Sequence, residues 1–286
     1  MVDERQNEIV TVERPVGGVD AAVFESADLS DLENAVRLLE NPSLIARVTD
    51  VIGVPLEQVI DVLPARTSDR LQKSVRVALE KLLNVSVGSL GTDRGGPSSN
   101  LKHKLAGGLS GAVGGFFGMA ALAAELPITT SIILRSIADI ARSEGEDLSR
   151  LDAKLACLEV FALGGKASTD DAAETGYFAV RAAMAKAMTD AAKHIAERGL
   201  TQEGAPVIAR FIASIASRFG TVVSEKVAAQ AVPVLGAVGG ASVNVLFMDH
   251  FQDVARGHFV VRRLERQYGQ DEVRREYARI ARGGRR

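Results

Sequence analysis

Two long stretches of this chain carry no charge. Leu105–Ala124 (LAGGLSGAVGGFFGMAALAA) spans 20 residues and Val227–Met248 (VAAQAVPVLGAVGGASVNVLFM) spans 22. Each matches the roughly 20-residue length that crosses a bilayer as a helix. Both are rich in glycine at four-residue spacing: Gly107, Gly111 and Gly115, then Gly114 and Gly118, and later Gly236 and Gly240. On a helix this spacing lines the glycines along one face, where a second backbone can approach closely. Glycine costs about 1 kcal/mol against alanine inside a helix, so such a run needs close packing in return. Three arrangements satisfy it: two central helices of a bundle, a re-entrant pair dipping into a membrane, or two transmembrane spans. The bundle is favoured. Glycine and alanine contribute little transfer energy, and mean hydropathy is only +0.10. Pro233 and Asn244 interrupt the second stretch, and the flanking Lys102, Lys104, Glu125, Lys226 and Asp249 show no one-sided charge bias.

The rest of the composition narrows the fold. Hydrophobic residues make up 47% of 286 while aromatics make up 5%, with no Trp. The apolar content is therefore small and aliphatic, which suits closely packed helices. The lone Cys157 excludes an internal disulfide, a CxxC pair and a multi-cysteine zinc site; on its apolar helical face it is a core thiol. With 34 basic and 36 acidic residues, a globally basic nucleic-acid binder is excluded. Charge is nonetheless uneven. From Gln252 to Arg286 there are ten arginines against five carboxylates, a surplus of five on a body with a deficit of seven.

Apolar residues recur at i, i+3 and i+4 almost throughout. The expected fold is all-α, a compact multi-helix bundle with the two Gly-rich apolar helices at its centre. The predicted helices are Leu29 to Glu40, Asn41 to Gly53, a short one opened by Pro55, and one capped at Thr67 or Ser68 that buries Leu71, Val75, Ala78 and Leu82. After the first glycine-rich stretch, Leu126-Pro127 should interrupt the chain, Gly145 should stop the next helix, and Ser149 should cap another. A long helix should end at Gly199, one from Pro206 should reach Phe219, and two should close the chain. This gives a loosely attached leader over 1–28, a helical cap over 29–90 and a main body over 101–286. The leader lacks the apolar core of a secretory signal, so an intracellular location is expected.

Several segments in a fixed order resemble the EcsC family of bacterial proteins: ELPITTSIILRSIADIARSEGEDL from Glu125, LACLEVFALGG from Leu155, FGTVVSEKVAAQAVPVLGAVGGASVN from Phe219 and HFVVRRLERQYG from His258. The resemblance covers Thr67 to Ala281. It implies a helical, intracellular, membrane-associated protein, and a link to ABC-transporter function through the family's namesake. It transfers no catalytic residues. Some relatives carry peptidase-type names, but no protease motif is present.

Candidate chemistry follows from the charges that sit among apolar residues, where they must pair or face a cavity. Arg135, Asp139 and Arg142 share one helical face. Glu125 and the Ser224-Glu225-Lys226 triplet lie at the ends of the two glycine-rich stretches and meet if those stretches pack together. This gives a candidate polar pocket of Glu125, Arg135, Asp139, Arg142, Glu225 and Lys226. Asp249, His250 and Asp253 are weak metal candidates, with His258 two turns further on. Ser110 lacks the full GxSxG pattern and a preceding strand, and neither a P-loop nor HExxH occurs. No cofactor is implied. Arg262, Arg263, Arg266, Arg274 and Arg275 suit an anionic surface. The leading expectation is a helical interaction protein, cytoplasmic and peripheral at the inner membrane, whose partner is lipid or a membrane protein and not nucleic acid. The alternative is a helical hydrolase, peptidase- or esterase-like, with a polar pocket.

Overall fold

The computed structural model describes residues 24–40, 44, 47, 67–90, 118–165, 176–200, 205–231 and 236–283. They form eight helices: α1 (Ser26–Leu39), α2 (Thr67–Ser89), α3 (Gly118–Ser143), α4 (Leu151–Leu163), α5 (Gly176–Arg198), α6 (Ala205–Ala231), α7 (Gly236–Tyr268) and α8 (Gln270–Gly283). No strand occurs among the described residues. The chain is all-α, as its periodicity requires, and the helices pack into a compact bundle.

The centre is α4. Its apolar residues lie all round rather than on one stripe, and such a helix must be covered on every side. It packs against α2, α3, α5, α6 and α7, and Ala153 and Leu155 through Ala162 are all buried. The main core gathers α2, α3, α4, α6, part of α5 and α7 as far as Phe259; the predicted stripe Leu71, Val75, Ala78 and Leu82 lies in it. A second core joins Leu32 and Val36 of α1, Tyr177 and Phe178 of α5, Leu264 of α7, and Val273 and Tyr277 of α8. The expected N-terminal cap residues therefore pack in two places, α1 on α7 and α8, and α2 on α3, α4 and α6. The predicted helices over 41–64 lie outside the described residues, apart from Leu44 and Arg47.

Gly145 (φ 78°) and Gly199 (φ 69°) end helices as expected, and Gly269 (φ 90°) separates α7 from α8; all three have left-handed backbones that L side chains resist. Two boundaries differ from expectation. Pro127 lies inside α3 without ending it; nearby, Thr130 Oγ1 and Ser131 Oγ donate to the carbonyls of Leu126 and Pro127, both at 2.6 Å. Ser149 does not cap α4. Its hydroxyl donates to Asp147 at 2.6 Å, and Arg150 holds the cap position. Downstream, α6 runs past Phe219 to Ala231, and α7 begins at Gly236. The second glycine-rich stretch thus supplies the end of one helix and the start of the next, with Pro233 between them. Most of the first stretch, including Gly107, Gly111 and Gly115, lies outside the described residues.

Helix contacts are closest where glycine permits it. A Cβ on Gly165, just beyond α4, would overlap the backbone carbonyl of Arg218 on α6, with the carbonyl carbon at 2.6 Å. Backbone cannot swing aside as a flexible side chain can. Gly165→Ala should therefore destabilise the fold by about 1–3 kcal/mol in denaturant titration. Gly176→Ala, with nothing within 4 Å, should leave stability nearly unchanged.

Candidate functional site

Two polar centres are buried at opposite ends of α7. The first lies where α3, α6 and α7 meet. Lys226 of α6 is 0% exposed. Its Nζ donates to Glu125 Oε1 of α3 at 2.8 Å, and Asn244 Nδ2 of α7 donates to the same oxygen at 3.0 Å. Gln230 reaches Asn244 Oδ1 at 3.4 Å, and the ammonium lies 4.9 Å from the centre of the Phe247 ring. Burial pulls the Lys226 pKa down, and the Glu125 carboxylate opposes this. The structure thus joins two of the sequence-predicted pocket residues. Glu225, the neighbour of Lys226, is half-buried. The other predicted residues lie elsewhere on α3: Arg135 is exposed, and Arg142 binds Asp139 at 2.8 Å and the Leu90 carbonyl at 2.9 Å.

The second centre lies between the two hydrophobic cores, around Glu159 of α4. This carboxylate is 4% exposed, and among the described residues no donor lies within hydrogen-bond reach of it. Burial pushes its pKa up to about 7, against the pull of Arg181 and Arg262. His258 of α7 is buried beside it, with Nε2 3.7 Å from Glu159 Oε2, too long for a hydrogen bond. Burial holds the imidazole well below its usual pKa, with Arg181 and Arg262 acting the same way, so it is neutral at pH 7. Tyr177 Oη sits 3.0 Å from His258 Nδ1 and accepts from Arg181 Nη1 at 3.4 Å. With the phenol proton turned toward Nδ1, the imidazole proton is on Nε2, facing Glu159.

Arginines from α5 and α7 surround this group, each held by a carboxylate. Arg181 clasps Glu265 with two bonds of 2.6 and 3.0 Å. Arg262 clasps Glu146 at 2.8 and 3.1 Å. Such two-point pairs are strong and directional. Glu159 lines a cavity of about 640 Å³ between α4, α5, α7 and α8. Arg181, Arg262, Glu265 and Arg274 line it as well, and the apolar wall includes Phe178 and Met188.

The expected anionic-surface residues therefore divide. Arg262 and Arg274 line this cavity. Arg263 pairs with Asp31, Asp28 and Glu144, Arg266 with Glu146, and Arg275 with Glu272 in its own helix. The weak metal candidates are spread among other partners. His250 Nε2 lies 2.8 Å from the Gly164 carbonyl, while Asp253 binds Arg47 at 2.9 Å and Arg256 at 2.7 Å. Asp249 is half-buried. Cys157 is fully buried in the core, and burial pushes its thiol up to about 12. Sequence reasoning missed Glu159. The available signal was a lone carboxylate amid LACLEVFAL.

An all-helical fold is what the segment resemblance led us to expect. The chain matches the EcsC protein family over residues 29–264. It belongs to that family, and the match begins well before Thr67. No curated protein and no solved structure matches it.

Two outcomes test these centres. Lys226→Met alone leaves a buried carboxylate uncompensated and should cost about 3–5 kcal/mol. Glu125→Leu combined with Lys226→Met should recover most of that loss in equilibrium unfolding. For Glu159, the folded pKa lies above the unfolded one, so the folded state binds more protons between pH 4.5 and 7 and stability falls as pH rises through that window. Glu159→Gln should equal the parent at or below pH 4.5. Above pH 7 it should exceed it by on the order of 3 kcal/mol.

Proposed function

We propose that this EcsC-family chain is a helical interaction protein that docks at a membrane face through the end of the bundle where its two charge-free stretches converge. The observation that carries this reading is the contact of Glu125 with Lys226 and Asn244. Glu125 follows the first stretch immediately, Lys226 precedes the second, and Asn244 lies within it. Both stretches therefore reach the bundle at the same end, above a buried ion pair. Ile128, one turn along α3 from Glu125, is 57% exposed. Docking through one apolar end requires no spanning helix. Among the described residues one helix, Pro206–Gln230, is long and apolar enough to cross a membrane by length and composition. Its Phe211, Ile215, Phe219 and Val223 are buried in the bundle, the pattern of a core helix. The peripheral inner-membrane location and the link to a transporter belong to this proposal.

In this reading the arginines play a smaller part, because Arg262, Arg263 and Arg266 are engaged by carboxylates. Vesicle flotation tests it. The full chain should co-float with phosphatidylglycerol vesicles at low salt, Ile128→Glu should lower the floated fraction several-fold, and Arg275→Glu should change it little. Absence of the protein from the floated fraction would overturn docking.

The Glu159 cavity favours a second reading, a helical hydrolase with Glu159 as general base, since a carboxyl near pH 7 is poised to accept a proton. Turnover of a peptide or ester panel that is lost in Glu159→Gln supports it.

A further inference from the structure

We propose that the cavity over Glu159 is a binding site for a small aliphatic carboxylic acid, held with its carboxylate against Glu159 so that the two carboxyl groups share one proton. This does not depend on membrane docking, since the cavity lies at the other end of α7.

Three observations converge on this ligand class. First, Glu159 is a buried carboxyl in the cavity wall, and among the described residues no donor lies within hydrogen-bond reach of it, although buried polar groups are ordinarily satisfied. A ligand in the cavity would supply a partner. Second, the wall facing it is apolar along α5, through Phe178, Ala185, Met188 and Ala192, which suits an aliphatic body. The volume of about 640 Å³ is within the range of small-molecule sites. Third, with Glu159 protonated, four cations in the lining, Arg181, Lys193, Arg262 and Arg274, outnumber the carboxylates Asp152, Glu265 and Asp271. Each guanidinium has five N–H donors; Glu265 and Tyr177 engage three of those on Arg181, and Glu146 two of those on Arg262. Arg274 is held with its guanidinium 5.6 Å from the centre of the Phe178 ring. An ammonium ligand would add a fifth cation to these four. A carboxylate is attracted by them, and a single proton between it and Glu159 removes the repulsion of two like charges.

The groups around Glu159 are Tyr177, Arg181 and Lys193 from α5, His258, Arg262 and Glu265 from α7, Asp271 and Arg274 from α8, and Asp152 on its own helix. Glu159 changes charge near neutrality, whereas burial keeps His258 neutral. Binding of a carboxylate to the ionised site takes up one proton from solvent. With Glu159 titrating near pH 7, affinity should fall about tenfold from pH 6 to pH 8.

The test is calorimetry of the full chain with octanoate, and with octylammonium as the opposite charge. Octanoate should bind at pH 6 and about tenfold more weakly at pH 8. At pH 8 the heat should vary with buffer in proportion to about one proton absorbed. Glu159→Gln keeps a neutral donor, so it should bind octanoate equally at both pH values. Met188→Trp, placed to fill the cavity, should lose binding while keeping its helical circular dichroism. The proposal is overturned if octanoate fails to bind at pH 6, if the parent binds it equally at both pH values, or if octylammonium binds more tightly.

Discussion

The structure depends on burying α4 on all sides. Past its first turn, a helix surrounded by five others leaves no surface for a charge, yet Glu159 sits in its third turn. Desolvation of that carboxylate dominates its surroundings and outweighs two nearby guanidiniums. The arginines are in turn prevented from neutralising it, because Glu265 and Glu146 hold them in two-point pairs. The outcome is a carboxyl poised near neutrality beside a neutral histidine, at the seam between two hydrophobic cores.

The helix α7 connects this seam to the other end of the molecule. Asn244 and His258 are 14 residues apart on it, about 21 Å at 1.5 Å per residue. The Glu125–Lys226–Asn244 centre and the Glu159–His258 centre are therefore separate, one joining α3, α6 and α7 and one beside the cavity. The two differ physically. In the first, opposite charges meet directly and satisfy each other. In the second, a carboxyl is left without a donor among the described residues. A satisfied buried pair specifies how three helices join, whereas an unsatisfied group invites a ligand.

Much of the fold was legible in the sequence. The stripe Leu71, Val75, Ala78 and Leu82 marks the buried face of α2 because helical spacing aligns those residues regardless of context. Gly145 and Gly199 end helices because few other residues tolerate their backbone angles. The meeting of Glu125 with Lys226 was also foreseeable, since both flank stretches that had to pack tightly. Other expectations failed where they rested on local rules alone. Arg135 and Asp139 have helix-pair spacing, but Arg135 turns to solvent. Pro127 stays within α3, because tertiary contacts on α2, α4 and α7 hold the helix through it.

The sequence by itself determined an all-α chain, its helix boundaries at glycine, and family membership, because these follow from periodicity, backbone freedom and residue order. Only the tertiary structure decided which charges are buried and what answers them. Arg262 and Glu146 are 116 residues apart, Arg181 and Glu265 are 84, and no spacing rule relates them. The state of Glu159 follows from that assembly, because desolvation is a property of everything packed around a group and not of its neighbours in the chain.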